Sequence, residues 1–142
     1  MSTALIWIVF PLAVSILLLF LLRRRTLLKW AGTGFCLLLA GLAGILPINR
    51  AFMLLSWELR IREELLVFGR RFVLSEASQP IIILLFLICA FWFLILDQIN
   101  GPIQVVPLGL AGTVLILTAY AVDPIFYGAL FFAFLALIYV VL

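Results

Sequence analysis

The chain has 142 residues, of which 68% are hydrophobic and 11% charged, with a net charge of +3 and no histidine. A soluble domain carries charge on about a quarter of its residues, so this composition, with a mean hydropathy of +1.43, excludes an ordinary soluble domain and points to a polytopic membrane protein. The basic residues flank apolar runs, so nucleic acid is not an expected partner, and the lipid bilayer is.

The first apolar run covers residues 4–22, nineteen residues or roughly 28 Å of helix. Its charges follow the run instead of preceding it, and no small-residue cleavage site appears, so it reads as a retained helix and not as a signal peptide. Pro11 inside it predicts a kink. RRRTLLK follows, with Arg23, Arg24, Arg25 and Lys29 within seven residues. The second run covers 30–48, where Gly34, Gly41 and Gly44 share one helical face with Ala40, a stripe that lets another helix approach closely.

Residues 49–78 form an extramembrane segment that holds nine of the fifteen charged residues. Trp57, Leu59 and Ile61 alternate with Glu58, Arg60 and Arg62, the period of a strand. Leu65–Phe68, Gly69 and Phe72–Leu74 supply a returning strand, giving a β-hairpin on the membrane surface. A short amphipathic interfacial helix is the competing expectation.

The third run, 79–96, opens around Pro80, which suits a first helical turn. DQING then predicts a turn. The fourth run, 105–122, has Pro107 in its first turn, and Asp123-Pro124 leads into the fifth, 125–142, which carries no charge. Links this short make neighbouring helices antiparallel. The expected fold is an all-α membrane protein, a single membrane domain with about five transmembrane helices and a short extracytoplasmic β-hairpin-like segment. The uncharged end of the fifth run, with no residue that closes a helix, suggests the N-terminal part of a longer protein.

Orientation follows the basic residues. The first loop has four without any acid, whereas the long segment dilutes Arg50, Arg60, Arg62, Arg70 and Arg71 with Glu58, Glu63, Glu64 and Glu76. The RRRTLLK side is therefore expected to be cytoplasmic, with the N-terminus, the hairpin and Asp123 outside a bacterial plasma membrane.

No catalytic, cofactor-binding or metal site can be picked out. Ionisable groups within a span mark function, and every charge here sits in a loop or at a helix end. Asp97 reads as an interfacial turn residue and Asp123 as the cap of the fifth helix. Thr113, Thr118, Tyr120, Tyr127 and Tyr139 suit interhelical hydrogen bonds or an aromatic belt, to which Trp7, Trp30, Trp57 and Trp92 also fit. Cys36 and Cys89 show no metal-ligand spacing and read as small hydrophobes in a bundle. Arg70 and Arg71 offer partners for phosphate, as a lipid-linked transferase would need, but no base accompanies them.

FPLAVSILLLFLLRRRTLLKWAG resembles the opening helices of the antiporter-like membrane subunits of NADH–quinone oxidoreductase and of the related multisubunit cation/proton antiporters. WELRIREELLVFGRRFVLSEASQP is similar to their extracytoplasmic connection into the third helix, with Ser75, Glu76, Ala77 and Ser78 where that family often has Asp-Gly-Leu-Ser. AVDPIFYGALFFAFLALIYVVL is similar to their fifth helix. The resemblance implies a non-redox, proton-translocating subunit among other membrane subunits, without a cofactor of its own. It also implies a glutamate at the position held here by Ala133, after Phe132, and lysines on later helices. The alternative expectation is a complete small structural or assembly subunit with no proton path of its own.

Overall fold

The computed structural model describes residues 5–46, 51–54, 57–60, 64–67, 70–74, 76–96, 98, 101–123 and 127–141. Pro11 shapes the start of the chain. A proline ring clashes with the carbonyl four residues back and offers no N–H to it. The residues before it, Leu5–Val9, take wide π-helical turns, and α1, Phe10–Leu19, begins with the proline in its first turn, where no donor is missed. The bend expected at Pro11 is thus a π segment. Next, α2 spans Arg25–Ile45 and starts five residues before the expected Trp30. Arg25 and Lys29 belong to it because arginine and lysine are good helix formers at exposed positions, which an apolar count misses.

The segment between α2 and α3 makes two antiparallel pairs instead of one hairpin. β1 (Ala51–Leu54) pairs with β2 (Trp57–Arg60), and β3 (Glu64–Val67) pairs with β4 (Arg70–Val73). Alternation found β2 but assigned it the wrong neighbour, because β1, AFML, is uniformly apolar and shows no period of two. β4 leads through a 3-10 turn, Glu76–Ser78, into α3, Gln79–Ile95. α4 spans Val105–Ala121, β5 is the pair Val122–Asp123, and α5 runs Gly128–Val141. β5 adds to β4 as the third strand, with Arg71 opposite Asp123.

The α2–α3 interface is the most extensive, and α4 touches α1, α2, α3 and α5. The core between them includes Leu28, Leu39, Phe86, Phe93, Leu110 and Leu117, all sealed from solvent. α2 does not pack through the expected stripe. Gly34, Gly41 and Gly44 lie on its exposed face, with nothing within 4 Å of a Cβ built on the first two. The buried stripe is Gly32, Cys36, Ala40 and Ala43, and a Cβ on Gly32 would come within 2.5 Å of Val106 Cγ1.

Polar ties fix the ends of the bundle. At one end the Arg25 guanidinium donates to the Gly101 carbonyl at 3.0 Å, joining the α1–α2 turn to the α3–α4 connection. At the other, the Gln79 amide donates to the Ala43 carbonyl, joining α3 to the last turns of α2. Between them the buried Ser15 hydroxyl donates to the Pro107 carbonyl at 2.7 Å and links α1 to α4. Two helical runs, Arg25–Ile45 and Glu76–Ile95, are long and apolar enough to cross a membrane, and three apolar helices are shorter.

Gly128 meets backbone: a Cβ there would lie 2.9 Å from the Ala119 carbonyl oxygen. Gly128→Ala should therefore push α5 off α4 at a cost of about 1–3 kcal/mol. Gly34→Ala, in open space, should gain up to about 1 kcal/mol from helix propensity. Thermal loss of helicity in detergent reads both, and equal midpoints would refute the close α4–α5 approach.

Candidate functional site

Short side chains on one helix leave a hollow beside the large ones of the next. A cleft of about 460 Å³ lies between α3 and α4, within the range of roughly 300–1,000 Å³ usual for ligand sites. α3 lines it from Leu85 to Leu96 and α4 from Val105 to Ile116, with Gly101 and Pro102 at one end. Gly109 and Gly112 leave the α4 wall low. Contact across its floor comes from Phe93, whose Cε1 lies 3.1 Å from a Cβ built on Gly109.

Two polar side chains on facing walls enter this apolar space. The Thr113 hydroxyl donates to the Gly109 carbonyl at 2.9 Å, so its hydrogen is engaged and its lone pairs remain to accept. The Cys89 thiol lies against it and also receives the Cys36 thiol from α2. Both cysteines are free and buried. They are 53 positions apart in sequence, so no spacing motif announces the pair. No acid or base lines the cleft, and its wall is largely apolar.

The residues singled out from sequence do not converge on it, apart from Thr113, Cys89 and Trp92. Thr118 does not bridge helices, whereas Thr113 meets the Cys89 thiol of α3. Each donates to the carbonyl four residues back on α4, Thr118 to Val114 at 2.7 Å, because that acceptor is within reach of any helical threonine. A further interhelical hydroxyl is Ser15, which its apolar neighbours hid. Asp123 is exposed in β5, and α5 is Gly128–Val141; residues 124–126, on which a cap at Asp123 would act, lie outside the described residues. Asp97 and the side chains of Arg70, Trp57 and Tyr139 lie outside the described residues; Arg71 is exposed on β4. Trp30 and Trp92 are 60% and 51% exposed, whereas Trp7 is 2% exposed and belongs to the core. Tyr120 is exposed and Tyr127 half-buried.

Among the described residues, Thr33 Oγ1 is buried without a hydrogen-bond partner. No family model matches the chain, and neither a curated protein nor a solved structure matches it.

An unsatisfied buried hydroxyl costs about 1–3 kcal/mol, and a made hydrogen bond contributes about 1 kcal/mol. Thr33→Val should therefore raise the unfolding midpoint in detergent, and Ser15→Ala should lower it. The reverse order would contradict the hydrogen-bond assignments.

Oxidation with copper phenanthroline should join Cys36 and Cys89, with two electrons and two protons passing to oxygen. Thiol titration of the unfolded protein should then find none, and one in either Cys→Ser variant. Two thiols surviving would separate the pair.

Proposed function

We propose that the chain forms the first five helices of an antiporter-like, proton-translocating subunit of a quinone-linked respiratory membrane complex, and that these helices act as its scaffold. The observation that carries the reading is the order of elements. Two helices, a strand segment, then three helices follow one another, and the strand segment closes on Val122–Asp123 at the head of the fifth helix. This gathers the α2–α3 segment and the α4–α5 link at one end, while the α1–α2 turn and the α3–α4 connection share the other. Connections that alternate between the two ends in this way suit five antiparallel spans. By the positive-inside rule the end with Arg23, Arg24, Arg25 and Lys29 faces the cytoplasm, and the strands face outward.

Proton transfer through a membrane needs ionisable side chains and water within the spans. Residues 30–48, 79–96, 101–122 and 124–142 contain no Asp, Glu or Lys, and no Arg. The groups that carry protons would therefore stand on neighbouring helices, and these five would position them. Exposed apolar faces support that role: Leu84, Leu87 and Phe91 on α3, and the outward Gly34–Gly41–Gly44 stripe on α2, where a neighbouring helix can come close.

One observation favours the second reading, a structural or assembly subunit with no proton path. The position of the family's glutamate is held by Ala133, on an exposed face of α5, and a methyl group carries no proton.

Sequencing the native transcript beyond the Leu142 codon tests the choice. The expected frame continues through further apolar runs with mid-helix lysines, and replacing such a lysine by alanine abolishes proton uptake by the reconstituted complex. A stop codon directly after Leu142 would remove the proton-channel reading and leave the structural one.

A further inference from the structure

The cleft between α3 and α4 and the basic turn before α2 lie at adjoining places. Gly101, at the end of the cleft, accepts the hydrogen bond from Arg25 at 3.0 Å. Arg23, Arg24 and Arg25 are exposed, Lys29 is one helical turn further on, and no acid interrupts the seven residues. From this end the cleft runs along α3 from Leu96 back to Leu85 and along α4 from Val105 to Ile116, about 16 Å at the helical rise. That is close to half of the roughly 30 Å hydrocarbon core, the depth of one leaflet.

We propose that this is a binding site for an anionic glycerophospholipid, with one acyl chain in the cleft and the phosphate against the Arg23–Arg25 turn. Charge complementarity selects the headgroup: cations gathered between helices at one membrane surface attract anionic lipid, and guanidinium groups match phosphate oxygens in fork geometry. The wall selects the chain. Phe93 closes the floor, Gly109 and Gly112 keep the groove open, and Trp92 stands half-exposed on the α3 side with its ring available to an acyl chain. A zwitterionic lipid would gain the same apolar contacts without the net charge. The inference rests on the reading of these helices as membrane-spanning.

The test uses the full chain in phosphatidylcholine vesicles containing a minor fraction of dibrominated phosphatidylglycerol or, separately, dibrominated phosphatidylcholine. Bromine quenches nearby tryptophan, and the Trp92 contribution is taken by difference from Trp92→Phe. Phosphatidylglycerol should be preferred by roughly fivefold for each engaged arginine. The preference should vanish in the triple variant Arg23→Gln, Arg24→Gln, Arg25→Gln and weaken at high salt. Thr113→Phe should fill the groove and reduce Trp92 quenching by either lipid; Ile116→Phe, on the same wall, replaces it if helicity is lost. Equal quenching by the two lipids, or no change in a folded groove-filling variant, would overturn the site while leaving the helices in the bilayer. Absence of quenching by both, with release of the chain by alkaline carbonate, would overturn the membrane-spanning reading as well.

Discussion

Everything in this bundle is arranged around α4. It is the helix that meets all four others, with glycines at two of its closest approaches. Gly109 admits Phe93 from α3, and Gly112 admits Leu135 from α5. The Pro107 carbonyl takes the Ser15 hydroxyl of α1. At its far end the Ala119 carbonyl sits where Gly128 leaves room for α5. Close backbone approach and dispersion help to hold such a bundle together, and would have to carry most of the load if it lay in lipid. A central helix with small residues at its points of closest approach supplies both.

The same economy of volume accounts for the cleft. α3 directs Ile82, Phe86, Cys89 and Phe93 into the core, where the long interface with α2 receives them. α4 receives Phe93 at Gly109 and presents Gly112 and Thr113 between Val105 and Ile116. Two helices held by different neighbours thus stand apart along a strip, and the hollow is what remains. The Cys36–Cys89–Thr113 contact lies where three helices converge beside it. Sulfur there is soft and polarisable, and fills an irregular gap better than a branched aliphatic would.

Helix existence was legible because long uncharged runs with short links admit few other structures; five runs became five helices. Boundaries were less so. The start of α2 was hidden because Arg25 and Lys29 are polar yet helical, and nothing in the sequence announced that Val122–Asp123, ahead of α5, pairs with β4. Pairing in the 49–78 segment could not be read, since alternation defines a strand's faces and not its partner. The packing face of α2 was misread for a related reason. Glycines on both sides of a helix satisfy the same spacing rule, and only the position of Phe93 and Val106 shows that Gly32 is the one covered. The cleft left no trace in sequence, because it is a gap between residues of two helices, not a property of any of them.

The addition of Val122–Asp123 to β4 has a consequence for the order in which the molecule is made. Arg71 leaves the ribosome 52 residues ahead of Asp123, its partner across the ladder, an interval of about 3–10 s at 5–20 residues per second. During that interval the outer edge of β4 presents unpaired backbone groups, and only completion of α3 and α4 delivers the strand that covers it. An open edge recruits whatever extended chain is near. The corner between the fourth and fifth helices is therefore also the latch that closes an exposed sheet, and the nascent chain is most vulnerable to wrong pairing just before that corner is synthesised.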